Sequence, residues 1–231
     1  LVYGHACTRY PGCSMNSSLS TGSTGSTNPV TPSIHINGEM WFDPHWFAGL
    51  NMSSYVFSLK NNLSGSNPGT LNAQLNMTSL VGGYNFLMAD DFFGPKLKLL
   101  MGYSILNGFI DNSTPTAFTS TTYSGLTLGI SGSFPIELPG KKEPLYFGGK
   151  LNLFLSPGLS ETPVSSGSSQ NQITSFGVFI EYKLGQRMNL VTGLDFDLIS
   201  SNFGGGGSRS PSASSTSQAI THLAGGIEYL F

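Results

Sequence analysis

The chain has 231 residues, of which only 10% are charged, with 10 Lys and Arg against 12 Asp and Glu for a net charge of −2. No basic patch recommends nucleic acid as a partner, a soluble surface carries about 25% charge, and 12% aromatic residues are too many for a disordered chain. No apolar run approaches the ~18 residues of a membrane helix, so an exterior outside water requires a closed β-barrel, the other fold that satisfies its backbone hydrogen bonds in lipid.

In chain order, "LVYGHA" reads as a short strand, followed by "CTRYPGC" with Cys7 and Cys13. Three readings compete there: a disulfide closing a small loop, a half-built metal site with His5, or two free thiols. Zinc needs four ligands at recognised spacings, so a structural Cys7–Cys13 disulfide in an oxidising compartment is expected, with no metal and no cofactor. Residues 10–33 are polar and long. The stretch 34–42 then sets Ile34, Ile36, Met40 and Phe42 against His35, Asn37, Glu39 and Trp41, an alternation with the period of a strand. "DPH" at 43–45 is turn chemistry, not a metal site.

Further strands follow at 46–60 and 73–88, with Trp46, Ala48, Leu50, Met52, Val56, Leu80, Tyr84 and Phe86 on the apolar face. In 96–106, 124–136, 145–156, 173–184 and 188–199 the alternation is cleaner; Leu97, Leu99, Met101, Tyr103 and Ile105 oppose Lys96, Lys98, Gly102 and Ser104. Long Ser/Thr/Asn/Gly-rich breaks at 10–33, 61–72, 111–122, 160–172 and 201–218 alternate with short ones at 43–45, 89–95, 138–144 and 185–187. The glycines of "SNFGGGGSRSPSASSTSQ" lack the Lys-Ser/Thr and helix of a phosphate loop, so it reads as a surface loop. The chain closes on "GGIEYLF", where Leu223, Ile227, Tyr229 and Phe231 share a face.

The charges decide between sandwich and barrel. Glu39, Lys96, Lys98, Lys150, Glu181, Lys183, Asp195, Asp197 and Glu228 all fall on the less apolar faces, among small residues. A sandwich's wet face carries more charge, whereas small and paired polar residues suit a narrow lumen.

At this point the chain resembles the bacterial outer-membrane β-barrels: alternating strands, short turns at one end and long loops at the other. Its last residues resemble their C-terminal targeting signal, here Leu223, Ile227, Tyr229 and Phe231, with Gly225 as a weak position. The resemblance implies an all-β, antiparallel transmembrane barrel, integral to the outer membrane, spanning 1–231 as one domain. It implies lipids, lipopolysaccharide and the barrel-insertion machinery as partners, with other envelope proteins as further candidates. Five long loops and four short turns predict ten strands, residues 1–33 forming a partial first strand and first extracellular loop. The alternative has eight strands with residues 1–45 as an N-terminal extension.

The nine lumenal charges predict a salt-bridge network that plugs the barrel, and Trp41, Trp46, Tyr84, Phe86, Phe92 and Phe93 predict an aromatic girdle by the short turns. Small barrels of this kind include lipid-modifying enzymes, and Asp197 with His222 is the one acid–base candidate, expected opposite each other on the last hairpin. With no serine marked as nucleophile, a structural pair is expected, and a surface-loop platform or envelope anchor rather than an enzyme. A narrow channel is a further alternative.

Overall fold

The computed structural model describes residues 2–8, 14–19, 33–60, 70–89, 94–110, 120–137, 139–140, 144–162, 168–185, 187–204 and 215–230. They form β1 (Val2–Thr8), β2 (Ser14–Leu19), β3 (Ser33–Trp41), β4 (Trp46–Lys60), β5 (Thr70–Leu87), β6 (Lys96–Ile110), β7 (Ser120–Ile136), β8 (Leu145–Thr162), β9 (Ser168–Gly185), β10 (Met188–Gly204) and β11 (Ser215–Leu230). From β3 to β11 each strand pairs antiparallel with the next. The sheet then closes, because β1 pairs with β3 on one side and β11 on the other.

β1 and β2 act as one interrupted stave. β1 lies against residues 227–230 of β11 and β2 against residues 216–221, so the wall holds ten staves. Residues 33–41 are a stave too, paired over their whole length with β4, which removes the eight-stranded alternative. Within 10–33, expected to be loop throughout, residues 14–19 are strand.

The strands also run past their expected ends, through 70–72, 120–122, 160–162, 168–172, 201–204 and 215–218. At 15–18 residues from β4 to β11, they exceed the ~9–11 that cross a bilayer. Their outward residues mark where the excess lies. Toward the short turns the outer wall is apolar: Leu99, Met101, Tyr103 and Ile105 on β6, Leu126, Leu128 and Ile130 on β7, and Leu151, Leu153 and Leu155 on β8 are all exposed. Toward the long loops the same rows continue as Asn107, as Ser124 and Thr122, and as Ser160 and Thr162.

The inward rows reverse that order. Tyr55, Leu75, Leu106, Tyr123, Phe154, Ile173, Ile199 and Ile220, each 2–5% exposed, pack into an apolar belt inside the loop-side half. Cross-strand register builds it directly, pairing Tyr55 with Leu75, Leu106 with Tyr123, Phe154 with Ile173, and Ile173 with Ile199. Burying each such side chain contributes about 1.5–3 kcal/mol. The Tyr123 hydroxyl lies 3.0 Å from Ser201 Oγ, tying β7 to β10 across the lumen.

One bulge keeps the belt continuous. The β7–β8 register slips between Ser124 and Leu126, opposite Ser156 at φ 46°. The extra residue reverses the facing of β8, so Phe154 points inward before it and Pro157 and Glu161 after it.

Candidate functional site in the barrel lumen

Below the belt, toward the short turns, the lumen is polar and holds a cavity of about 310 Å³. Of the nine predicted lumenal charges, Glu39, Lys96, Lys98, Lys150, Glu181, Asp195, Asp197 and Glu228 line it. Lys183 sits outside it, in register with Asn189 near a short turn. The charges wall a cavity instead of filling the lumen, and the apolar belt lies above them.

Two ion pairs span the space. Lys98 Nζ on β6 donates to both carboxylate oxygens of Glu39 on β3, at 2.8 and 2.9 Å. The same ammonium lies 4.7 Å from the Phe47 ring centroid and 5.3 Å from that of Trp41, so aromatic faces share its charge. Lys150 on β8 reaches Asp195 on β10 at 2.9–3.0 Å. Gly177 on β9 makes that reach possible. It is the register partner of both residues, and a Cβ there would lie 2.0 Å from Asp195 Oδ1.

A hydroxyl chain adds to this wall: Thr127 donates to Ser104 and Ser104 to Ser79, each at 2.7 Å, with all three residues buried. Sequence reasoning passed over these hydroxyls and the belt. The signal was present, since each of these residues has the inward parity of its strand.

Trp41 corrects the girdle. Odd positions of β3 face inward, so Trp41 is 7% exposed and packs on Phe47, ring centroids 5.0 Å apart, with Val81 and Leu100 beside them. The outward aromatics form a chain in which Trp46 meets Tyr84 edge-on at 4.9 Å and Tyr84 meets Phe86 at 4.7 Å. His45 stacks on Tyr84 at 5.3 Å, and its Nδ1–H donates to the Asn85 carbonyl at 2.9 Å. Asp43 Oδ1 accepts the backbone N–H groups of His45 and Trp46 at 2.7 and 2.8 Å. The Trp46 amide first, and the His45 amide next, hold the Asp43 carboxyl below its ordinary value.

The last hairpin differs from expectation as well. His222 is the register partner of Asp195, and Asp197 pairs with Ile220. Asp195 is already engaged by Lys150. Leu223, Ile227 and Tyr229 are exposed on the outer wall. Cys13, Phe92, Phe93 and Phe231 lie outside the described residues, as do the side chains of Cys7 and His222. Among the described residues no group of three His, Cys, Asp or Glu is arranged to hold a metal ion.

No protein-family model matches the chain, and no curated protein does. Among solved structures, the outer membrane protease OmpT from Escherichia coli aligns over 100% of this chain and 96% of its own, with TM-score 0.62 and 11% identity. The fold is that of an outer-membrane barrel. The outer membrane protein OprG from Pseudomonas aeruginosa covers 100% of this chain and 94% of its own at 13% identity, but its TM-score of 0.30 carries no argument. At these identities the likeness speaks to architecture alone.

Proposed function

We propose that the chain is an integral barrel of the bacterial outer membrane, with an occluded lumen, that presents its long loops as a surface platform or anchors an envelope complex. The observation that carries this reading is the apolar belt, whose side chains are 2–5% exposed inside the barrel, above a cavity walled by paired charges. A diffusion pore needs a continuous wet path, and the packed Ile, Leu, Phe and Tyr contributed by β4 to β11 argue against one. The exposed apolar outer wall supports the membrane placement, with lipid as its solvent. In this reading Leu223, Ile227 and Tyr229, exposed on the outer face of β11, serve the insertion machinery.

Planar-bilayer recording tests the occlusion. Purified barrel that migrates heat-modifiably on gels should give no large steady conductance, and sustained nanosiemens-scale openings overturn the reading.

Catalysis is the second reading, favoured by the register that pairs Asp195 with His222 on a fold shared with a protease. His222→Gln should leave insertion intact under either reading. Turnover of peptide or lipid by the parent protein that disappears in this variant would promote the enzyme; absence of turnover in the parent retains the platform.

A further inference from the structure

On β5 and β6 the outer wall changes from apolar to polar between Leu80 and Thr78 and between Ile105 and Asn107. Just beyond that line, Phe109 projects outward, 53% exposed, with Gln74 as its register partner. One rung nearer the line runs a row of short polar side chains in register: Ser54, Asn76, Asn107 and Thr122. Hydrogen bonds set the amides of this row. Gln74 Nε2 donates to Asn76 Oδ1 at 3.0 Å and to Ser54 Oγ at 3.3 Å, and Thr122 Oγ1 donates to Asn107 Oδ1 at 2.9 Å. Gln74 Oε1 and the Asn76 and Asn107 amide nitrogens are left with no protein partner among the described residues.

We infer that Phe109 and these amides form a binding site for an uncharged saccharide, carried as the head group of a glycolipid in the same leaflet. The aromatic face offers an apolar platform for the C–H face of a sugar ring. One acceptor and two amide donors around it match neighbouring hydroxyls. Charge argues against other occupants: the outward residues beside Phe109, from Ser54 and Val56 through Gln74 and Asn76 to Asn107 and Thr122, carry no charge, so nothing there selects phosphate, nucleic acid or an acidic peptide. A peptide strand has no edge to join at this site, because β5 and β6 are paired on both sides here, and acyl chains would meet amides. The site faces sideways from the wall next to the apolar band, where a saccharide rooted in that leaflet stands. The inference rests on the membrane placement proposed above.

The test uses the full chain in phosphatidylcholine vesicles doped with digalactosyldiacylglycerol, with diacylglycerol and phosphatidylglycerol as controls, and native mass spectrometry to count retained lipid. Digalactosyl lipid should be retained over both controls, equally at low and high salt. Phe109→Ala and Gln74→Ala should each weaken retention about tenfold, the size of losing a binding anchor. Equal retention of the controls, salt-sensitive retention, unaffected variants, or crosslinked dimers through this wall in place of glycolipid each overturn the site. Loss of heat-modifiable migration in the same vesicles would instead overturn the membrane placement.

Discussion

Below the line through Leu126 and Leu155 the barrel is apolar outside and charged inside; above it the outward residues are mainly Gln, Asn, Ser and Thr, with Val56 and Phe109 among them, while Ile173, Ile199 and Ile220 face inward. The same strands run through both halves, so backbone pairing is constant and only the side-chain order changes. On the membrane placement proposed above, the difference follows from the solvent each half meets. Where the wall meets lipid, outer side chains gain little by hiding, and cohesion inside falls to ion pairs and hydroxyls. Where the wall meets water, the hydrophobic effect returns, and the loop-side half is built like a soluble barrel with a dry core. One chain thus carries two opposite rules for what is inside.

Substitutions can break this contrast, and the largest effect is expected in the charged half. Lys98→Met strands Glu39, whose side chain is 9% exposed beside it, and should destabilise by about 3–5 kcal/mol. Adding Glu39→Gln should recover most of that loss, as read by denaturant unfolding in micelles. In the dry half, Leu106→Ala should cost about 2–5 kcal/mol by leaving a void in the belt. Its outward neighbour Ile105→Ala should cost much less in vesicles, where lipid fills the gap. Comparable losses at the two sites would mean that the halves are not solvated differently.

Gly177→Ala drives a Cβ toward Asp195 Oδ1, separating it from Lys150, and should cost about 1–3 kcal/mol. Lys150→Ala in the same background should then add little.

The smallest effect lies at the turn outside both halves. Asp43 titrates below its unfolded value of 3.8 because its carboxylate accepts two amides. Its contribution is therefore present above pH ~3.8 and fades as the pH falls through the lower folded value. Asp43→Ala should lower thermal stability slightly at neutral pH, and the difference from the parent should vanish in strong acid.

The contrast also explains how much was legible in the sequence. Strands facing lipid announce themselves, because Leu97 through Ile105 alternate with Lys, Gly and Ser. In "STTYSG" the outward residues are Ser and Thr and the inward row holds a lone Tyr123, so a strand reads as a loop. "SPGLSE" hid behind the bulge at Ser156, since an added residue breaks period two where the apolar row changes face. Register across the last hairpin was illegible for a simpler reason: its Gly- and Ser-rich connection carries no marker of where pairing begins, and Asp195 rather than Asp197 met His222. Trp41 was misplaced because proximity to a turn was weighed above parity. The positions of the charges marked the polar stretch of the lumen, but they line a cavity there where a charge-filled plug was expected, and no local pattern could reveal the belt. Its members come one or two from each of β4 to β11 and meet only in three dimensions.

That scattered origin bears on how the barrel assembles. Tyr55 and Ile220 lie 165 positions apart yet belong to one cluster, so no single hairpin can hide its share of the belt. Each hairpin from β4 to β11 brings two or three of these apolar residues, which stay open to solvent until the ring of strands is complete. Most of the hydrophobic gain is therefore delivered late, in the step that joins the first stave to the last. Closure is driven strongly once it begins, while everything before it is uphill and slow, as expected where contacts are far apart along the chain.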